Sequence, residues 1–164
     1  MNQGKNVHQR IHAVMEGMKT VAKNGYNDFH KYSYASEADF VQALRPLLVD
    51  HGLVIYPQII SSSREKVGEK GDVLTSLMVK FFVVNMDNAT DKIEVVVEGT
   101  GTDKGDKGTY KAMTGAKKYF IAQTFMVATG DDPEKDGESS QPKSKKKVAA
   151  PPAAPSKASN LDEF

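Results

Sequence analysis

The sequence predicts an α+β fold: a three-stranded antiparallel sheet with a long helix packed across it. Three observations lead there. Apolar residues recur at spacings of three and four within residues 7–21, 36–51 and 109–127, the signature of helices that bury one face. Between the second and third of these lie three runs rich in β-branched residues, which suit strands. The links between the runs are short, and a parallel pair would need a crossover of about a dozen residues or more, so neighbours must be antiparallel.

In the first helix, Val7, Ile11, Val14, Met15, Met18 and Val21 make one apolar stripe, and Asn24-Gly25 supplies a stop. His8 and His12 are four apart and could share a face, as metal-binding histidines do, but no third ligand lies near and the His-Glu-x-x-His pattern is absent. They read as solvated polar positions. Residues 26–34 (YNDFHKYSY) are the most aromatic stretch of the chain. Aromatics interleaved with His30 and Lys31 offer what stacking on unpaired bases requires, while alternation of Tyr32 and Tyr34 equally fits the inward face of a short strand.

Ser36 opens the second helix, with Asp39 in the place that Glu usually takes in a capping box. Phe40, Val41, Leu44, Leu47 and Leu48 form its buried stripe, Pro46 is expected to kink or divide it, and His51-Gly52 to end it. Residues 53–61 predict a strand in which Pro57 marks an edge or a bulge, and residues 64–72 a polar turn. In residues 73–84, Val73, Leu77, Val79, Phe81 and Val83 line one face, interrupted by Thr75, with Ser76 and Lys80 on the wetter side. After a turn at 86–90, Ile93, Val95 and Val97 alternate with Glu94 and Glu98. The expected order is therefore α, α, β, β, β, α.

Residues 99–132 dominate the functional reading. Four glycines (Gly99, Gly101, Gly105, Gly108) among charges predict a glycine–lysine loop, since a residue without Cβ enters φ > 0 freely and lets a backbone or a phosphate come close. A helix follows with Met113, Ala116, Phe120, Ile121 and Phe125 on its broad apolar face. Up to Phe120 the stretch holds five lysines (Lys104, Lys107, Lys111, Lys117, Lys118) against two aspartates, whereas the whole chain is +1. Loop amides, a helix N-terminus and clustered lysines suit a polyanion. These lysines are the leading DNA-contact candidates, with Tyr110, Tyr119, His30, Lys31 and Tyr32 behind them.

Nucleotide chemistry is disfavoured. Lys107 precedes Gly108-Thr109 where a Walker loop needs Gly-Lys-Ser/Thr, Lys104 stands where a dinucleotide fingerprint needs its third glycine, and no parallel βαβ frame surrounds either. There is no Gly-x-Ser-x-Gly elbow, and Asp131-Asp132 before Pro133 reads as a helix stop. Neither catalysis, cofactor nor metal is expected. Absent cysteines fit a reducing compartment; with no apolar run near the roughly 18 residues of a membrane span and no signal core, a cytoplasmic protein away from membranes is expected.

At 164 residues the chain is about one domain, divided here as residues 1–132 folded and 133–164 a disordered tail. The tail is rich in Ser, Pro, Ala and Lys and has no large apolar residue until Leu161, too little to offset ordering entropy. Lys143, Lys145, Lys146 and Lys147 form a basic run in it. Its tip joins acidic Asp162 and Glu163 to apolar Leu161 and Phe164, a composition suited to a basic-rimmed apolar pocket on another protein and equally to an unremarkable chain end. A protein-interaction adaptor working through this tip is the alternative to DNA binding.

Residues 27–53 (NDFHKYSYASEADFVQALRPLLVDHGL) and 109–132 (TYKAMTGAKKYFIAQTFMVATGDD) together resemble the ERF (essential recombination function) family of bacteriophage single-strand annealing proteins. There an aromatic-lysine-tyrosine lead-in precedes a helix with RPLL that ends at HGL, and a lysine-rich helix closes in an ATGDD-like signature. The resemblance spans residues 7–132. It implies a Rad-fifty-two-like annealing fold, and rings or filaments that hold single-stranded DNA in a basic groove and pair it with its complement without ATP. Lys117-Lys118 stands where the family often has an arginine pair, which keeps charge but loses bidentate phosphate geometry. The tip is also similar to the acidic, phenylalanine-ended tails of bacterial single-strand binding proteins, implying recruitment of host repair factors or competition with DNA.

Overall fold

Alternation of buried with wetter residues along residues 72–103 builds two of the three strands of the sheet. The computed structural model describes residues 4–29, 31–69 and 71–129, all within one compact unit. Its elements are α1 (Val7–Gly17), β1 (Gly25–Asn27), β2 (Tyr32–Tyr34), α2 (Glu37–His51), β3 (Leu53–Val67), β4 (Asp72–Asn85), β5 (Asn88–Asp103) and α3 (Gly108–Thr124). The main sheet is the antiparallel meander β3-β4-β5; β1 and β2 form a separate antiparallel hairpin. The expected α+β class and three-stranded antiparallel sheet are present, with this extra hairpin between the first two helices.

The row Thr75, Leu77, Val79, Phe81 and Val83 of β4 is buried. Thr75 is a full member of it: a Cβ on Gly108 would meet its Oγ1 at 2.5 Å. Against this row α3 lays Ala112, Ala116 and Phe120, the Phe120 ring stacking on Phe81 with centroids 4.3 Å apart. Val7, Ile11 and Val14 of α1 and Phe40 and Leu44 of α2 complete the same core. The other face of the sheet is partly wet, as Lys80 foretells: its Nζ binds Glu94 at 2.7 Å, and Tyr56 stacks on Phe82.

The expected glycine loop is largely strand. β5 runs through Gly99 and Gly101 to Asp103, pairing them with Leu77 and Thr75, and neither has positive φ. They serve the close approach of backbone instead. A Cβ on Gly101 would lie 2.6 Å from the Gly108 carbonyl oxygen and 2.7 Å from the Ala112 nitrogen; one on Gly99 would lie 2.8 Å from the Ala116 Cβ. Only bare backbone lets α3 settle on β5 at this depth.

Other boundaries shift for local reasons. α1 stops at Gly17, whose missing side chain leaves room for Leu47 of α2, so Val21 is buried from outside the helix. Pro46 neither divides nor ends α2. The donor it lacks would serve the carbonyl of exposed Gln42, which water can satisfy, and both helix ends are anchored: Ser36 and Asp39 form the expected capping box and Gly52 takes the left-handed C-cap at φ 61. Val41 of the predicted stripe is exposed. β3 is an edge strand, as Pro57 requires, with a register shift between Ile59 and Ser61. It continues to Val67, so the turn before β4 is shorter than residues 64–72. Likewise only Met86 and Asp87 separate the paired Asn85 and Asn88. Tyr32 is half exposed and thus does not face the core.

One buried cation was missed. Arg10, 1% exposed, donates from Nε to the Lys5 carbonyl, from Nη1 to the carbonyls of His51 and Gly52, and from Nη2 to Asp87 at 2.5 Å. It ties α1 to the end of α2 and to the β4–β5 turn.

Candidate nucleic-acid interface

The sheet-facing side of α3 fixes what its other side presents. With Gly108, Ala112, Ala116 and Phe120 turned inward, Lys107, Lys111, Thr114 and Lys118 follow at spacings of four, three and four along the opposite side, a single stripe. At 1.5 Å per residue it runs about 16 Å.

Its N-terminal end gathers positive charge. Lys107 is the N-cap, with no side-chain cap bond and no acidic residue in the first turn; its own N–H is bonded to the Asp103 carboxylate, and the N–H groups that follow, with the positive end of the helix dipole, meet lysines. Exposed Lys104 precedes it, and Arg64 of β3 donates from Nη2 to Thr109 Oγ1 at 3.0 Å. This arrangement disfavours the helix by itself and favours a bound anion. The Lys111 ammonium donates to Asp103 at 2.5 Å and to the Thr102 carbonyl at 2.9 Å. That bond, followed by one from the Gly105 N–H, holds the Asp103 carboxyl below the usual carboxylate range. Asp106, Lys107, Tyr110, Lys111 and Thr114 line an open cleft of about 500 Å³ here.

Midway, Glu37 from the start of α2 accepts from Thr114 Oγ1 at 3.1 Å and from Lys117 Nζ at 2.5 Å. The bond from Lys117 is the main reason its carboxyl titrates below the ordinary range. Lys117 thus clasps α2 to α3, as Lys111 ties α3 to the end of β5 through Asp103, while Lys118 points to the hairpin.

At the far end the Lys118 ammonium stands 5.4 Å from the Tyr34 ring centroid. β1 and β2 pair Gly25 with Tyr34, Tyr26 with Ser33 and Asn27 with Tyr32. Tyr26 and Tyr32 are half exposed, and Phe29 at the tip is 87% exposed. Lys31 adopts the left-handed region at φ 57, its Nζ 4.0 Å from Asp28.

Of the residues singled out from sequence, Lys107, Lys111 and Lys118 share the stripe, Lys104 lies beside its start, and Lys31 and Tyr32 belong to the hairpin at its end. Tyr110 and Tyr119 are both exposed but nine positions apart, half a turn, so they stand on opposite flanks of α3. His30, the tip Leu161, Asp162, Glu163 and Phe164, and the expected tail disorder lie outside the described residues. Sequence reasoning names Tyr34 only as an inward-facing strand residue and does not single out Tyr26, although both sit in the aromatic run it flags. Arg64 was hidden in a supposed turn, and Glu37 gave no signal. Among the described residues no group of three or more His, Asp and Glu could hold a metal ion, and no helix is long and apolar enough to cross a membrane.

A family model described as the ERF superfamily matches residues 7–162. No curated protein matches the chain. Among solved structures, a candidate lipoprotein of Caulobacter crescentus CB15, crystallised at 2.40 Å resolution, is similar at 12% identity and a TM-score of 0.29, over 71% of this chain and 87% of its own.

Proposed function

The chain belongs to the ERF superfamily, and on that premise we propose that it binds single-stranded DNA and anneals complementary strands in homologous recombination without ATP, as a phage-encoded homo-oligomer with the annealing fold its family resemblance implies. The observation that carries the reading is the cationic stripe of α3, with Lys107, Lys111 and Lys118 on one face, Lys104 and Arg64 beside its start and exposed aromatics at its end. Charge on a helix face neutralises phosphates irrespective of sequence and leaves base edges free to pair. The reading needs no covalent step, so the protein acts as a scaffold rather than an enzyme. Residues 1–132 would hold DNA and neighbouring subunits, and the tail would reach host repair proteins.

The test is fluorescence annealing of complementary oligonucleotides without nucleotide, beside a native mass measurement for oligomers. With about four phosphates neutralised per subunit, log affinity should fall against log salt with a slope near −3, and Lys107→Ala should reduce its magnitude by about 0.7. Affinity that stays flat from low to physiological salt refutes the reading.

A further inference from the structure

Resting on that reading, we propose that the cleft between the β1–β2 hairpin and Lys118 is a slot for one unpaired nucleobase, by which the protein tells a single strand from its annealed product. The cleft, about 500 Å³, is lined by Tyr26, Asn27, Asp28, Tyr32, Tyr34 and Lys118, within the roughly 300–1,000 Å³ of small-ligand clefts.

Its chemistry selects a base over a phosphate. Tyr26 and Tyr32 keep 53% and 51% of their surface in water and neither belongs to the core; the Tyr32 ring meets Tyr34 edge-on with centroids 6.1 Å apart, which leaves both side chains half open to solvent. An aromatic face open to solvent is what a base stacks on, whichever base it is. Asp28 would repel a phosphate at this position but accepts hydrogen bonds from the amino or imino edge of a base. The cation is placed to one side: Lys118 comes from α3, 5.4 Å from the Tyr34 centroid, where it can meet the phosphate attached to a base lodged among the rings. Lys118 is also the last cation of the stripe, so a strand following Lys107 and Lys111 arrives at the slot. Lys31, in a backbone conformation that non-glycine residues seldom adopt, shapes the turn beside it.

A base inside a duplex has both faces stacked and its edge paired, and cannot enter. The stripe holds single and double strands alike through phosphates, whereas the slot holds only the single strand. Annealing therefore withdraws the base from the slot and weakens the protein's hold on the product.

The experiment uses the full chain with a mixed-sequence oligonucleotide containing 2-aminopurine, alone and as its duplex. Tyr26→Ala and Tyr32→Ala, singly and combined, are compared with Tyr26→Phe and Tyr32→Phe, with circular dichroism as the check on folding. The alanine variants should weaken single-strand binding about five- to a hundredfold, leave duplex binding within about twofold and keep the salt slope; the phenylalanine variants should restore affinity. Wild-type protein should alter 2-aminopurine emission in the single strand and the alanine pair should not. Equal losses on both DNA forms, or unchanged single-strand affinity in folded alanine variants, overturn the slot. Should the pair fail to fold, Tyr26→Leu, at an exposed position, gives the same discrimination with apolar bulk retained and no aromatic face. If wild-type protein binds neither form, the annealing reading itself fails; if it binds with the expected salt slope and the variants match it, only the slot fails.

Discussion

Replacing Gly101 by alanine separates two explanations of the glycines before α3. In the structure the added Cβ would stand 2.6 Å from the Gly108 carbonyl oxygen, 2.6 Å from the Lys111 Cβ and 2.7 Å from the Ala112 nitrogen. None of these atoms is the end of a flexible side chain, so the first half of α3 must move off β5 by roughly 0.5–1 Å, a gap that forfeits a quarter to a half of each contact it opens. Overpacking a filled core costs about 1–3 kcal/mol. Against this, alanine lowers the entropy of the unfolded chain, worth about 0.4–1 kcal/mol in favour of the variant. The contact cost wins, leaving a net loss of about 1.3 kcal/mol at the middle of both ranges and a fall in Tm of about 4–6 °C. Gly105 is the control. Its φ is not positive and a Cβ there would meet only Asp103 Oδ1 at 3.4 Å, so Gly105→Ala should stay within about 0.5 kcal/mol of wild type. Urea denaturation of the three proteins decides. Gly101→Ala as stable as wild type, with Gly105→Ala the costly change, would refute the packing account and return the glycines to a ligand-binding loop.

Two further outcomes follow from charges in the fold. Arg10→Met keeps the aliphatic stem but strands the carbonyls of Lys5, His51 and Gly52, and should cost about 3 kcal/mol; Asp87→Asn, at a side chain 50% exposed, should cost less than about 1.5 kcal/mol, both read by chemical denaturation. Glu37, Asp39, Glu94 and Asp103 all titrate below their ordinary values, chiefly through hydrogen bonds from Lys117, Ser36, Lys80 and Lys111 respectively. A depressed carboxyl stabilises the fold fully above its unfolded value and loses that contribution as pH falls through the folded one. The urea midpoint should therefore change little from pH 7 to about 5 and fall below about 4.5, and a midpoint already falling at pH 6 would contradict these pairings.

The parts legible in the sequence were those whose partners are near in sequence or whose pattern has one period. The inward row of β4 could be read because its apolar residues alternate without a break from Leu77 to Val83 and are buried, with Val73 at its start only half-buried, and the start of α2 because Ser36 and Asp39 satisfy each other three residues apart. Gly99 and Gly101 were read as loop because a missing side chain signals a turn when only neighbours along the chain are considered; here the absence serves a helix arriving from another element. Arg10 was invisible for the same reason: apart from the Lys5 carbonyl, its acceptors lie 41, 42 and 77 positions away. The basic stripe was foreseeable from the spacing of Lys111 and Lys118. That Lys117 would turn to Glu37, 80 positions back, while Lys118 met an aromatic ring, depends on how α2 and the hairpin dock, which no local pattern records.

The meander and its helix have a kinetic consequence. β3, β4, β5 and α3 succeed one another without interruption, and each pairs with a predecessor reached through a short reversal, so the entropy lost in closing each loop is small. Assembly can proceed by zipping along the chain, the regime in which mainly local contacts make folding fast. α1 stands apart, since Arg10 can grip Asp87 only once the β4–β5 reversal exists. Interactions made that late in the reaction govern how long the native state survives rather than how quickly it is reached.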